Sequence, residues 1–138
     1  MGNLAVGDVV VERDVSLTRE SLVRYAGASG DLNPIHYRDD IAQSVGLDGV
    51  LAHGMLTMGL AISGVVTWLA GQGRVVSYQV RFTKPVYVPV EGAVSLHVVA
   101  TVSKLDDPAP GLTTLSLSVT TEAGATVLGK ALAVVSHS

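Results

Sequence analysis

Hydrophobic positions follow two regimes along this chain. Between about residues 17 and 74 they recur every three or four residues, and beyond that they alternate with polar ones. Residues 6–17, VGDVVVERDVSL, predict one strand or two. Residues 17–30, LTRESLVRYAGASG, predict an amphipathic helix. Thr18 is its N-cap and Glu20 lies in its first turn. Leu22, Val23 and Tyr25 or Ala26 form its apolar face, and Gly27 and Gly30 close it. RDDIAQSVG (38–46) predicts a short helix capped by Asp39 and stopped by Gly46, and LDGVLAHG (47–54) a connector. A longer helix runs from Gly54 to about Ala70. It is apolar nearly all round, which predicts that other elements wrap it rather than leave it half exposed.

Beyond it the period changes to two. In RVVSYQVRF, Val76, Tyr78, Val80 and Phe82 alternate with Ser77, Gln79 and Arg81. In VSLHVVATV, Val94, Leu96, Val98 and Ala100 alternate with Ser95, His97 and Thr101. TTLSLSVTT alternates too, and ATVLGKALAVV is a strand apolar on both faces. Turn sequences separate them: PVEGA (89–93), DDPAPG (106–111) and EAG (122–124). With no internal repeat or linker, residues 1–138 read as a single domain. The order is a strand, helices, one long apolar helix, then four antiparallel strands. That order predicts an α+β fold, in which a curved antiparallel sheet wraps the helix that cannot bury itself. The two open edges of such a sheet predict pairing with a second copy or a related chain.

Composition sharpens this picture. Hydrophobic residues make up 48% of the 138 and charged ones 15%, and mean hydropathy is +0.44. That much apolar surface requires burial within the domain or against another subunit. The net charge is −3 and the nine Lys and Arg are scattered, so no nucleic-acid footprint is present. The absence of cysteine excludes a disulfide frame, a thiolate nucleophile and a Cys-ligated metal, and suits a cytoplasmic protein. MGNLAVGDVVVERD has no basic-then-apolar leader pattern, and Val6 stands where a myristoylation signal wants Ser or Thr. The longest apolar run, Met55–Ala70, falls short of the about 20 residues of a membrane span.

The chemistry concentrates in ASGDLNPIHYRDD (28–40), where Asp31, Asn33, Pro34 and His36 lie within six positions. Pro34 fixes its own φ and keeps Asn33 out of the helical region, which stiffens the loop. An aspartate and a histidine presented at a fixed separation hold a water and share a proton near neutral pH. Asn33 orients its neighbours by hydrogen bonding. Taken alone, the same residues also fit a turn cap beside a packed histidine. A second element is AHGMLTMG (52–59), which puts Gly54 in the first turn of the long helix. Free N–H groups there, reachable because glycine has no Cβ, are the parts of an oxyanion hole. His53 beside it reads as a third polar wall of the site or, more simply, as a satisfied structural histidine. An acid–base pair plus an oxyanion donor, with no nucleophile, points to proton transfer next to a carbonyl, such as adding or removing water at a conjugated double bond. A metal held by Asp31, His36 and His53 has no standard ligand spacing behind it.

YAGASGDLNPIHYRDDIA together with AHGMLTMG resembles the hydratase-2 motif of the MaoC-like, (R)-specific enoyl-CoA hydratases, and the likeness extends over the whole chain. It implies a hotdog fold, a long central helix wrapped by an antiparallel sheet. It also implies that Asp31 and His36 activate the water, Asn33 supports them and the Gly54 N–H holds the thioester carbonyl. The reaction implied is (R)-specific hydration of trans-2-enoyl thioesters and dehydration of (3R)-hydroxyacyl thioesters, on CoA or acyl carrier protein, without metal or redox cofactor. The family also implies a homodimer, or a catalytic chain paired with a second hotdog chain. The acyl tunnel is expected near Met55, Met58, Ile62 and Ser63, which fit the core equally well, and along parts of the sheet. Arg74, Arg81, Lys84 or Lys130 are expected either to meet carrier phosphates or to be solvated charges. A non-catalytic acyl-binding subunit is the rival reading, and the joint presence of Asp31, Asn33 and His36 argues against it. Thioester hydrolysis, which uses a differently placed carboxylate, is disfavoured.

Overall fold

The computed structural model describes residues 3–137; the Met1–Gly2 start and Ser138 lie outside the described residues. The elements are β1 (Val9–Leu17), α1 (Arg19–Ser29), a 3-10 turn (Pro34–His36), α2 (Asp39–Ser44), α3 (Gly54–Leu69), β2 (Gly73–Phe82), β3 (Val94–Leu105), β4 (Leu112–Thr121) and β5 (Thr126–His137). The strands form one antiparallel sheet in the order β1-β3-β4-β5-β2. It curls far enough for α3 to pack against both edge strands, β1 and β2. This is the α+β arrangement expected from the sequence.

The alternating strands put their apolar sets on the inner face. Leu96, Val98, Ala100 and Val102 of β3 join Leu115, Leu117 and Val119 of β4 and Ala131, Ala133 and Val135 of β5. Together they pack on Ala61, Val65 and Leu69 of α3. Each fully buried Leu or Val contributes about 1.5–3 kcal/mol. Gly64 lets β1 approach the helix: a Cβ there would lie 2.8 Å from Val11 Cγ1 and 3.1 Å from Arg13 Nε. Arg13 passes over this glycine, and its guanidinium donates to the Ser63 hydroxyl. Tyr78 donates from its hydroxyl to the Met58 carbonyl (2.9 Å), and burial pushes its pKa up to about 12.

Four local expectations need correction. Val76 does not share a face with Tyr78 and Val80. It is the extra residue of a bulge between Val75 and Ser77, so Val75 turns to the core and Val76 stays 49% exposed. In α1, Leu22 and Ala26 are buried but Val23 is exposed. Thr18 does cap α1, through a reciprocal box with Ser21, and Gly30 rather than Gly27 closes it in the left-handed conformation (φ 78°). In α2 the N-cap is Arg38, not Asp39. The Asp39 carboxylate instead accepts from the Val50 N–H and from Arg19. These contacts hold it below the usual carboxylate range and tie α2 to the connector.

The fourth correction concerns α3. Its buried side is Thr57, Ala61, Gly64, Val65 and Leu69. Met55 is 60% and Val66 56% exposed, with Gly59 open between them. One sheet covers one side of a helix, so the chain alone does not wrap it.

Candidate active site

The loop from Gly30 to His36 is built from a relay of short-range hydrogen bonds. Gly30 turns the chain out of α1. The Asp31 carboxylate accepts from the Asn33 N–H, and Asn33 Oδ1 accepts from the Ile35 N–H (3.2 Å each). Asn33 thereby caps the 3-10 turn that Pro34 opens and His36 ends. His36 is buried, and its Nδ1–H donates to the Leu51 carbonyl at 2.7 Å. A carbonyl only accepts, so in neutral His36 the proton sits on Nδ1 and the Nε2 lone pair is free. That Nε2 lies 3.9 Å from Asp31 Oδ2. The gap is too wide for a direct hydrogen bond, yet a water placed about 2.8 Å from each atom reaches both.

His36 and Gly54 both line a cavity of about 360 Å³. Its other walls are Leu51, Ala52 and Thr57, the segment Phe82–Val86, and Val127 and Leu128 at the start of β5. Gly54 opens α3, so its N–H has no intrahelical acceptor and the positive end of the helix faces the cavity. The Phe82 ring packs directly on this glycine: a Cβ there would lie 2.9 Å from Phe82 Cε1. A carbonyl oxygen entering the cavity meets a free N–H under an aromatic cover, close to a histidine with an open lone pair.

His53 is the N-cap residue of α3 and is buried. Burial pushes its pKa down, and a hydrogen bond to the Asp31 carbonyl partly opposes this. Ligand-type atoms of Asp31, His36 and His53 lie within 4.8 Å of one another. The two imidazoles are stacked, however, with centroids 3.8 Å apart and planes 24° apart. Their lone pairs therefore run side by side rather than toward one point, and one nitrogen of each ring already serves a carbonyl. That geometry is poor for a single ion.

The family model of the MaoC like domain matches residues 3–121. The chain belongs to the MaoC-like domain family. A relative named 3-hydroxyacyl-thioester dehydratase X, from Mycobacterium tuberculosis, is 37% identical over 73 residues, covering 53% of this chain and 25% of the relative. An (R)-specific enoyl-CoA hydratase of Rhodospirillum rubrum is 32% identical over 74 residues, 53% of this chain and 51% of its own length. A solved MaoC-like dehydratase superposes with a TM-score of 0.88 at 33% identity, over 99% of this chain and 41% of its own. The chain thus spans about half the length, or less, of these MaoC-like relatives.

Within this MaoC-like domain, Asp31, Asn33, His36 and Gly54 fall in one region, Asp31 and Asn33 at its solvent side and His36 and Gly54 on the cavity wall. Met55 and Ser63 do not line that cavity. Met55 lies two residues from Thr57, which puts it across the helix on the exposed side, and Ser63 is engaged by Arg13. Met58 and Ile62 are also absent from the wall. Arg81 lines a separate pocket with Gln79, Val80 and Lys130, while Lys84 does reach the cavity. Sequence reasoning missed Thr57 and Phe82. The one available signal was the sole phenylalanine of the chain standing just before a strand-breaking TKP. No helix among the described residues is long and apolar enough to cross a membrane.

Proposed function

We propose that this MaoC-like chain adds water to trans-2-enoyl thioesters and, in reverse, dehydrates (3R)-hydroxyacyl thioesters carried on CoA or acyl carrier protein. The observation that carries this reading is the free Nε2 of His36, 3.9 Å from Asp31 Oδ2, on the cavity that Gly54 also lines. A water held by the two side chains loses a proton to them as its oxygen bonds to C3. The C2–C3 π electrons move toward the thioester, whose oxygen gathers negative charge at the Gly54 N–H. A proton delivered to C2 then completes the 3-hydroxyacyl product. General acid–base assistance of this kind is typically worth about 10²–10⁴-fold, and a preorganised donor to the oxygen about 10²–10³-fold. The (3R) outcome is supported by the R-specific relative and by the motif.

We further propose that the chain works as a dimer, with itself or with a related hotdog chain. The apolar side of α3 around Met55, Gly59 and Val66 is uncovered, and β2 is an open edge strand that keeps Val76 exposed. A second hotdog chain supplies both a strand and a cover.

The test is hydration of crotonyl-CoA by the purified chain alone, followed by loss of enoyl-thioester absorbance with chiral analysis of the product. Formation of the (3R) alcohol supports the assignment. A folded sample that is inactive on CoA and carrier-protein enoyl thioesters, with and without a related hotdog chain, overturns it.

A further inference from the structure

We infer that His53 is a positioning residue, which fixes the loop carrying Asp31 relative to the ring of His36. This inference rests on the proposed hydratase site and adds a member to it. The His53 Nε2–H donates to the backbone carbonyl of Asp31 at 3.2 Å. The face of the same ring is stacked on His36, and its other neighbour, Tyr25, meets it edge-on with centroids 4.8 Å apart. The next residue along the chain is Gly54. One buried side chain therefore touches the backbone of the acid and the ring of the base, and leads into the helix turn that supplies the oxyanion donor.

Packing alone does not account for a histidine here. With the proton on Nε2, Nδ1 is a buried acceptor, and it has no partner among the described residues. An unpartnered buried polar atom lowers stability. Phenylalanine would fill the space, keep the stack and remove that atom. What histidine supplies and phenylalanine lacks is the Nε2–H on the Asp31 carbonyl. The Asp31 side chain is half exposed and the loop around it is solvent-facing. Its position relative to His36 thus depends on a few tethers, and among the described residues the His53 bond is the one that ties its backbone to the buried side of the site.

The test compares two substitutions. His53→Phe keeps the ring and loses the donor; His53→Gln places a donor where Nε2 stood and loses the ring. His53→Phe is expected to melt at or above the native temperature. Its kcat should nonetheless fall about 10–100-fold with KM within about twofold, as when a catalytic group is misplaced by a fraction of an ångström. His53→Gln should recover most of kcat. Amide exchange at His36, Tyr37 and Arg38, whose N–H groups are bonded within the loop, should speed up in His53→Phe and return toward native in His53→Gln. Native kcat in a folded His53→Phe, or unchanged exchange at these amides, overturns the inference. If the native chain hydrates no enoyl thioester, the proposed function falls, and the exchange measurement still decides whether His53 holds the loop.

Discussion

The ring of Phe82 lies on Gly54 so closely that a Cβ built there would sit 2.9 Å from Phe82 Cε1 and 3.1 Å from Cζ. A residue from the end of β2 thus roofs the first turn of α3, and with the ring in this position only a glycine fits beneath it. Phe82 is 55% exposed, so its ring can swing outward at little cost to the fold. Gly54→Ala should therefore melt within a few degrees of native. Its methyl group would stand where, in the proposed reaction, the thioester oxygen approaches the N–H, and the displaced ring would admit water. Hydration should fall about 10²-fold or more, the scale of losing one oxyanion donor. Thermal melts beside the crotonyl-CoA assay check this. An active Gly54→Ala enzyme would remove the helix N-terminus from the mechanism.

Asp31→Asn separates the two readings of the acidic loop. Asparagine keeps an oxygen for the Asn33 N–H, so the turn survives if capping is all that Asp31 does. It does not keep a proton acceptor opposite His36 Nε2. The variant should fold normally and lose about 10²–10⁴-fold in kcat. Unfolding instead would mark Asp31 as a structural cap.

The parts of the site that could be read from the sequence are those made within one short stretch. Asp31, Asn33 and His36 are fixed by a proline and by hydrogen bonds spanning two or three residues. Gly54 was legible because helix starts are local. Phe82, Val127 and Leu128 reach the cavity only through the register of β2 on β5, and no local pattern carries that pairing. Period-two reasoning failed at Val76 for a related reason, since one inserted residue turns every later side chain to the other face. The α3 expectation failed differently. Apolar periodicity reports that a surface avoids water, and it does not say whether the cover comes from the same chain. Met55 and Val66 satisfy the pattern while standing exposed in this one.

The contact between α3 and β1 gives a stability prediction remote from the cavity. A Cβ on Gly64 would meet Val11 Cγ1 at 2.8 Å, a branched side chain with little freedom to move away. Replacing a helical glycine by alanine normally gains about 1 kcal/mol. Here overpacking, typically about 1–3 kcal/mol, works against that gain. Gly64→Ala should unfold at lower urea than native, and adding Val11→Ala should return the midpoint toward native because it removes the colliding methyl. A raised midpoint for the single variant would mean the helix and strand are not in tight contact.

His97 offers a pH prediction whose sign is fixed by its partners. On the exposed face of β3 its Nδ1 bonds Asp14 Oδ1 at 2.7 Å and its Nε2 bonds Glu12 Oε2 at 2.9 Å. Both partners are carboxylates, so both nitrogens must donate, which only the imidazolium can do. The Asp14 contact first, and the Glu12 contact after it, raise its pKa above the ordinary histidine value. A group whose folded pKa is raised stabilises the fold fully below its unfolded value, about 6.5. That stabilisation is lost as pH climbs through the raised value, because the neutral ring must then turn a lone pair toward one of the acids. His97→Gln should therefore lower the melting temperature at about pH 6 and make little difference at about pH 9, and salt should shrink the effect because the cluster is solvent-exposed. Melts of the two proteins across that range read it directly. A deficit that is constant with pH would show that His97 acts by packing on the strand and not by bridging Asp14 and Glu12.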